Sequence, residues 1–140
     1  MATPDELRAA IAESRKVFRA AVEGAGPAWE KKPGGEGEDA WSPRQVAEHA
    51  IPTEVQLASM VCVACGYPGL DKPEGSYASP AEALEAFEAA AAKSDGRLKY
   101  VTDTDIVKPD NFFKTVQGIM EYNASHLRDH AAQIQRVTGG

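Results

Sequence analysis

Cysteine and histidine are both scarce in this chain, with two and three among 140 residues. No apolar run approaches the roughly 20 residues that a membrane-crossing helix needs, so no helical span is expected. The first residues, Met1 to Glu6, are acidic rather than basic, and no apolar signal core follows them. This points to a cytoplasmic protein. Lysine and arginine never form a run, and the formal net charge is −6. Without a clustered basic surface, neither a nucleic acid nor an anionic membrane is an expected partner. No Ser-His-Asp set for nucleophilic catalysis is evident either.

The two cysteines, Cys62 and Cys65, stand three apart. A lone C-x-x-C is only half a zinc site, and the preceding strand of a thioredoxin-like context is missing. Small core residues in a reducing compartment are the simpler reading, with a redox pair as the alternative.

What is abundant is alanine. With β-branched residues sparse, the composition leans toward helix. The length suits one domain over residues 1–140, large enough to fold without staples. Thr3-Pro4-Asp5-Glu6, Ser42-Pro43-Arg44-Gln45 and Ser79-Pro80-Ala81-Glu82 repeat one start signal. The hydroxyl accepts from an unpaired N–H, proline gives up nothing at the first helical position, and Glu or Gln reaches back to the cap.

Helix 1 is expected from Pro4 to Glu23, with Leu7, Ile11, Ser14, Phe18, Ala21 and Val22 inward. Helix 2 should run from Pro43 to Cys65. Its seam of Val46, Ala50, Thr53, Leu57, Met60 and Ala64 steps alternately by four and three, as a bundle helix requires. Helix 3 is expected from Pro80 to Asp95, with Leu84, Phe87 and Ala91 inward and Gly96 as its stop. Helix 4 should open near Asp110 or Asn111 and run to Val137, with Gly139 and Gly140 closing it. Its seam is Val116, Met120, Asn123, Leu127, His130, Ile134 and Val137. No alternating run long enough for a sheet remains. Trp41, just before the second cap, could pack as a hydrophobic staple.

Residues 66–78 can reach about 40 Å when extended. A helix over 43–65 is about 33 Å long. This connection can therefore run the length of a bundle. Pro52, inside helix 2, removes the hydrogen bond to the Glu48 carbonyl and should bend the helix. The bend is either structural or a means of opening room nearby.

His126 and His130 are four apart, which places both imidazoles on one helix face about 6 Å from each other. His49 lies about 9 Å into helix 2, and His130 about 10 Å from the end of helix 4. If those helices are antiparallel neighbours, all three rings meet. Any one of them alone reads most simply as a hydrogen-bonded core residue. Together, without a metal, they would leave ring nitrogens in need of partners. Three protein nitrogens with open positions match catalytic metal centres better than closed structural zinc sites. Cys62, about 20 Å further along helix 2, is out of reach. Asn123, Glu48, Glu54 and Asp129 are candidate partners of the ligands.

Trp41-Ser42-Pro43 followed by His49, and His126-x-x-x-His130 followed by Ala131-Ala132-Gln133-Ile134, resemble the DinB/YfiT-like superfamily. The resemblance covers nearly the whole chain. It implies a left-handed antiparallel four-helix bundle in up-down-down-up order, frequent homodimers, and a metal held by His49, His126 and His130. Nickel, zinc and iron are all implied as ions by different branches, some of which are transferases or isomerases dependent on a low-molecular-weight thiol. Pro52 is a departure from the general pattern.

Three functions follow from these residues. A metal-dependent enzyme would activate a water or thiol toward an electrophile. A binding module would hold a metal or small ligand without turnover. A helical interaction protein would use its histidines only as core.

Overall fold

The computed structural model describes residues 2–139. It shows an all-α bundle of four helices packed against one another. α1 spans Pro4–Ala25, α2 Pro43–Ala64, α3 Pro80–Leu98 and α4 Val116–Thr138. Met1 and Gly140 lie outside the described residues; Gly139 caps α4.

The three repeated start signals all form helix N-termini. Thr3 Oγ1 accepts from the Glu6 amide, and Glu6 Oε1 accepts in return from the Thr3 amide. Ser42 and Gln45 make the same reciprocal pair. Ser79 accepts from Glu82 at 3.2 Å. A cap of this kind stabilises a helix by about 1 kcal/mol.

α1 runs two residues past the expected Glu23, to Ala25, and two other boundaries differ more. α3 does not stop at Gly96 but continues to Leu98. A glycine inside a helix costs only about 1 kcal/mol, and the longer helix buries Leu98 in the core. α4 starts later than expected. Asp110 does not cap it; its carboxylate accepts from the amides of Phe112 and Phe113 and closes a tight turn. Residues 109–110 and 114–115 then pair as two short antiparallel strands, β1 and β2. Thr115 is the cap, accepting from Gly118.

The expected apolar faces of α1 and α4 are buried throughout. That of α2 is only partly right, because Met60 and Ala64 are half-buried whereas Val61 and Cys62 are enclosed. α2 is covered on several sides, so no single seam describes it. It packs on α3, on α4 and beneath the 66–78 connection. Phe18 and Phe87, 4.9 Å apart between ring centres, anchor one half of the core. Ile11, Leu57, Leu98 and Met120 fill the other.

The two core halves meet at a buried charge cluster. Arg15 Nε lies 2.6 Å from Glu54 Oε1, and its other nitrogens reach Asp95 at 2.7 Å and Ser94 at 3.3 Å. Three helices are thereby joined through one guanidinium. Burial pushes the Glu54 carboxyl up, and the adjacent Arg15 opposes that shift.

The 66–78 connection runs back along α2. Ser59 accepts from the Leu70 amide, and Glu48, nearly three turns earlier in α2, accepts from the Tyr77 amide. Tyr77 in turn gives its carbonyl to the Trp29 indole at 3.0 Å. Gly75 passes so close that a β-carbon there would sit 2.3 Å from the Glu48 carbonyl oxygen and 2.9 Å from Pro52 Cγ. That carbonyl is the one Pro52 deprives of its helical donor. Pro52 therefore serves the seating of this connection, and the space beside it is taken by Gly75.

Candidate metal centre

His49 sits in the second turn of α2, where the Ser42 cap and Pro43 fix the helix start. His126 and His130 sit one turn apart in α4. Contacts fall along α4 as they rise along α2. His49 meets His126 and His130, while Leu57 and Val61 share the other core half with Ile119 and Met120. This register brings the three expected ligands together.

Their Nε2 atoms converge. His49 Nε2 lies 3.2 Å from His126 Nε2, which is 3.0 Å from His130 Nε2. One ligand atom from each residue falls within a 4.8 Å sphere of separation. Nitrogens bound tetrahedrally at about 2.05 Å stand about 3.3 Å apart. The spacing and the chemistry of the donors therefore fit a transition-metal ion.

Gln133, one turn beyond His130, fixes the donor set further. Its amide N–H donates to the Glu38 carbonyl at 2.6 Å. A carbonyl can only accept, so the Gln133 oxygen must face the other way, toward His130 Nδ1 at 2.8 Å. In its neutral form His130 therefore carries its proton on Nδ1 and presents a bare lone pair on Nε2. His126 is held strongly neutral, its pKa lowered to about 3 by burial and by the charges His130 and His49 would carry. His49 is lowered too, first by burial and then by His130, with Glu38 opposing and Lys72 assisting.

His49 is the most exposed of the three rings. His126 and His130 are each 7% exposed, whereas His49 is half-buried. Trp41 packs its ring 5.3 Å from that of His49. Tyr122 packs 5.3 Å from His126 and is backed by Phe113 at 4.8 Å.

The other candidate partners lie elsewhere. Glu48 pairs with Arg44 and the Tyr77 amide. Glu54 belongs to the Arg15 cluster. Asp129 is exposed. Asn123 is buried beside Leu57, Met120 and Leu98 and faces the Glu54 side of the core. Gln133 and Tyr122 received no role from the sequence. The signal for Gln133 was its place one turn after His130, where a polar residue can reach the outer ring nitrogen. Tyr122 precedes His126 by one turn in the same way.

The fold and site together define an all-α bundle whose second and fourth helices bring three imidazole nitrogens to one point, a cluster that could hold a metal ion. The sequence profile of the DinB superfamily matches residues 10–134. The chain belongs to that superfamily. No curated protein and no solved structure gives a significant match.

Proposed function

We propose that His49, His126 and His130 hold one divalent transition-metal ion through their Nε2 atoms, in a metal-dependent enzyme acting on a small electrophilic substrate. The observation that carries this is the convergence of the three Nε2 atoms, with separations of 3.0 and 3.2 Å. A bound ion would supply Lewis acidity, making a coordinated water or low-molecular-weight thiol a better nucleophile at neutral pH. The chain's own part is to hold His49 and His126 neutral, aim the three Nε2 lone pairs and keep water off His126 and His130. With no carboxylate among the three ligands, the centre would keep the full charge of the ion and favour an anionic incoming group. Trp41 and Tyr122 offer apolar walls for the substrate.

Nickel, zinc and iron all suit imidazole donors, and supply in the cell selects among them. The family likeness supports a cytoplasmic homodimer built from one domain. The path of the 66–78 connection along α2 supports the up-down-down-up order, with the left-handed twist implied by that family.

Tag-free protein should contain close to one equivalent of a transition metal, or take it up on reconstitution. Less than about a tenth of an equivalent would leave the histidines as core residues only. Turnover of thiol and electrophile substrates that His126→Ala abolishes would establish the enzyme. Stoichiometric metal without such turnover would favour a non-catalytic module that holds a metal or small ligand.

A further inference from the structure

A second cavity lies at the far end of α2, more than three helical turns and about 20 Å beyond His49. Its volume is about 390 Å³, within the range of small-molecule sites. Val61, Cys62, Cys65, Tyr67, Arg97 and Tyr100 line it. None of these residues belongs to the three-histidine centre. The lining is mostly apolar, and the two tyrosines are well exposed, at 56% and 67%. Two exposed aromatic rings on the rim of one cavity offer a ligand flat apolar surface.

Two charged residues line this cavity, Arg97 and Asp105. Arg97 makes no ion pair with any carboxylate among the described residues. Its Nη1 donates to the Pro68 carbonyl at 3.1 Å and lies 3.8 Å from Cys62 Sγ. The Nε–Nη2 edge, which can grip a carboxylate side-on, has no partner among the described residues. Lys108 reaches the Cys65 carbonyl at 3.4 Å, and Lys99 sits 5.2 Å over the Tyr100 ring. The one acidic residue in the lining, Asp105, is already engaged by Lys108 at 2.8 Å and by the Thr102 amide. The lining thus carries one charge of each sign, and with Asp105 neutralised by Lys108 the guanidinium of Arg97 is the charge left to attract an anionic occupant.

We infer that this cleft is a second ligand site, taking a small carboxylic acid with a flat apolar body. The carboxylate would lie along the free edge of Arg97. The body would lie between Tyr67 and Tyr100, over Val61 and the two thiols. The chemistry proposed is recognition alone, with no bond made or broken.

Both cysteines of the chain line this cleft, so thiol alkylation reports on it without engineering. The full chain is treated with N-ethylmaleimide, and adducts at Cys62 and Cys65 are followed by mass spectrometry. The probes are 3-phenylpropionate and its uncharged amide. The acid should slow alkylation saturably, and the amide should need about tenfold more to do the same. Arg97→Gln should make the two probes equal. Protection should be the same with and without one equivalent of zinc, so this result stands apart from that of the three-histidine centre. Three results would each overturn the inference. These are no saturable protection up to about 10 mM, equal protection by acid and amide in the native chain, and an advantage of the acid that survives Arg97→Gln. In the last case Arg97 serves only to tie α3 to the Pro68 carbonyl.

Discussion

The side-chain oxygen of Gln133 accepts from His130 Nδ1 at 2.8 Å, and the same amide donates to the Glu38 carbonyl at 2.6 Å. One residue thus links the 3₁₀ turn at Gly37–Ala40 to the tautomer of a candidate ligand. Replacing Gln133 with leucine keeps most of the bulk and removes the bond. Metal affinity should fall about 10- to 100-fold, as for other partners of metal-bound histidines. Competition against a chromophoric chelator measures this. An unchanged affinity would mean that ring packing alone orients His130.

The stability of the metal-free chain should depend on pH through His126. In the unfolded chain its pKa is about 6.5, and folding lowers it to about 3. Between those values the unfolded state binds more protons, so stability falls as pH falls from 6.5 toward 3. At pH 5 the loss relative to pH 7 is on the order of 2 kcal/mol. Denaturant titrations at the two pH values test this, and His126→Leu should flatten the dependence.

Glu54→Ala should destabilise the fold by about 3–5 kcal/mol, because it leaves the Arg15 charge buried without its main partner. Arg15 keeps Asp95, which sets the loss toward the lower end. The double variant Arg15→Met, Glu54→Leu should recover much of the loss, since apolar groups of similar volume often replace a buried ion pair at little cost. A double variant no better than Glu54→Ala in urea unfolding would show that the charge cluster itself holds the three helices in register.

Gly75→Ala should cost about 1–3 kcal/mol. The added methyl would press on the Glu48 carbonyl and on Pro52, both within 2.9 Å of the new carbon. Backbone, unlike a long side chain, cannot swing aside. The 66–78 connection should lift, and the Tyr77 amide should exchange faster with deuterium as its bond to Glu48 breaks. A variant as stable as the native chain, with Tyr77 still protected, would contradict this account.

The sequence carried what depends on local rules. The caps at Thr3, Ser42 and Ser79 were readable because hydroxyl, proline and Glu or Gln stand at fixed offsets. The convergence of His49 with His126 and His130 was readable because helical rise converts sequence distance to depth. It failed where local and tertiary preferences compete. Gly96 reads as a stop, yet burial of Leu98 carries α3 past it. Helix 4 was expected to open near Asp110 or Asn111, yet Asp110 closes the turn between β1 and β2. Asn123 sits on the α4 seam one turn before His126, but its side chain serves the Arg15–Glu54 side of the core, a direction that only packing decides. Gln133 was missed because its role depends on the Glu38 carbonyl, which reaches it across 95 positions of chain.

His49 and His126 are 77 positions apart in sequence yet 3.2 Å apart in space. Any ion gripping both would act as a removable cross-link across more than half the polypeptide. A covalent bridge closing so long a loop would restrict the denatured chain by about 4–5 kcal/mol. Demetallated chain should therefore be the form most exposed to proteolysis, and metal supply would set how long each molecule survives.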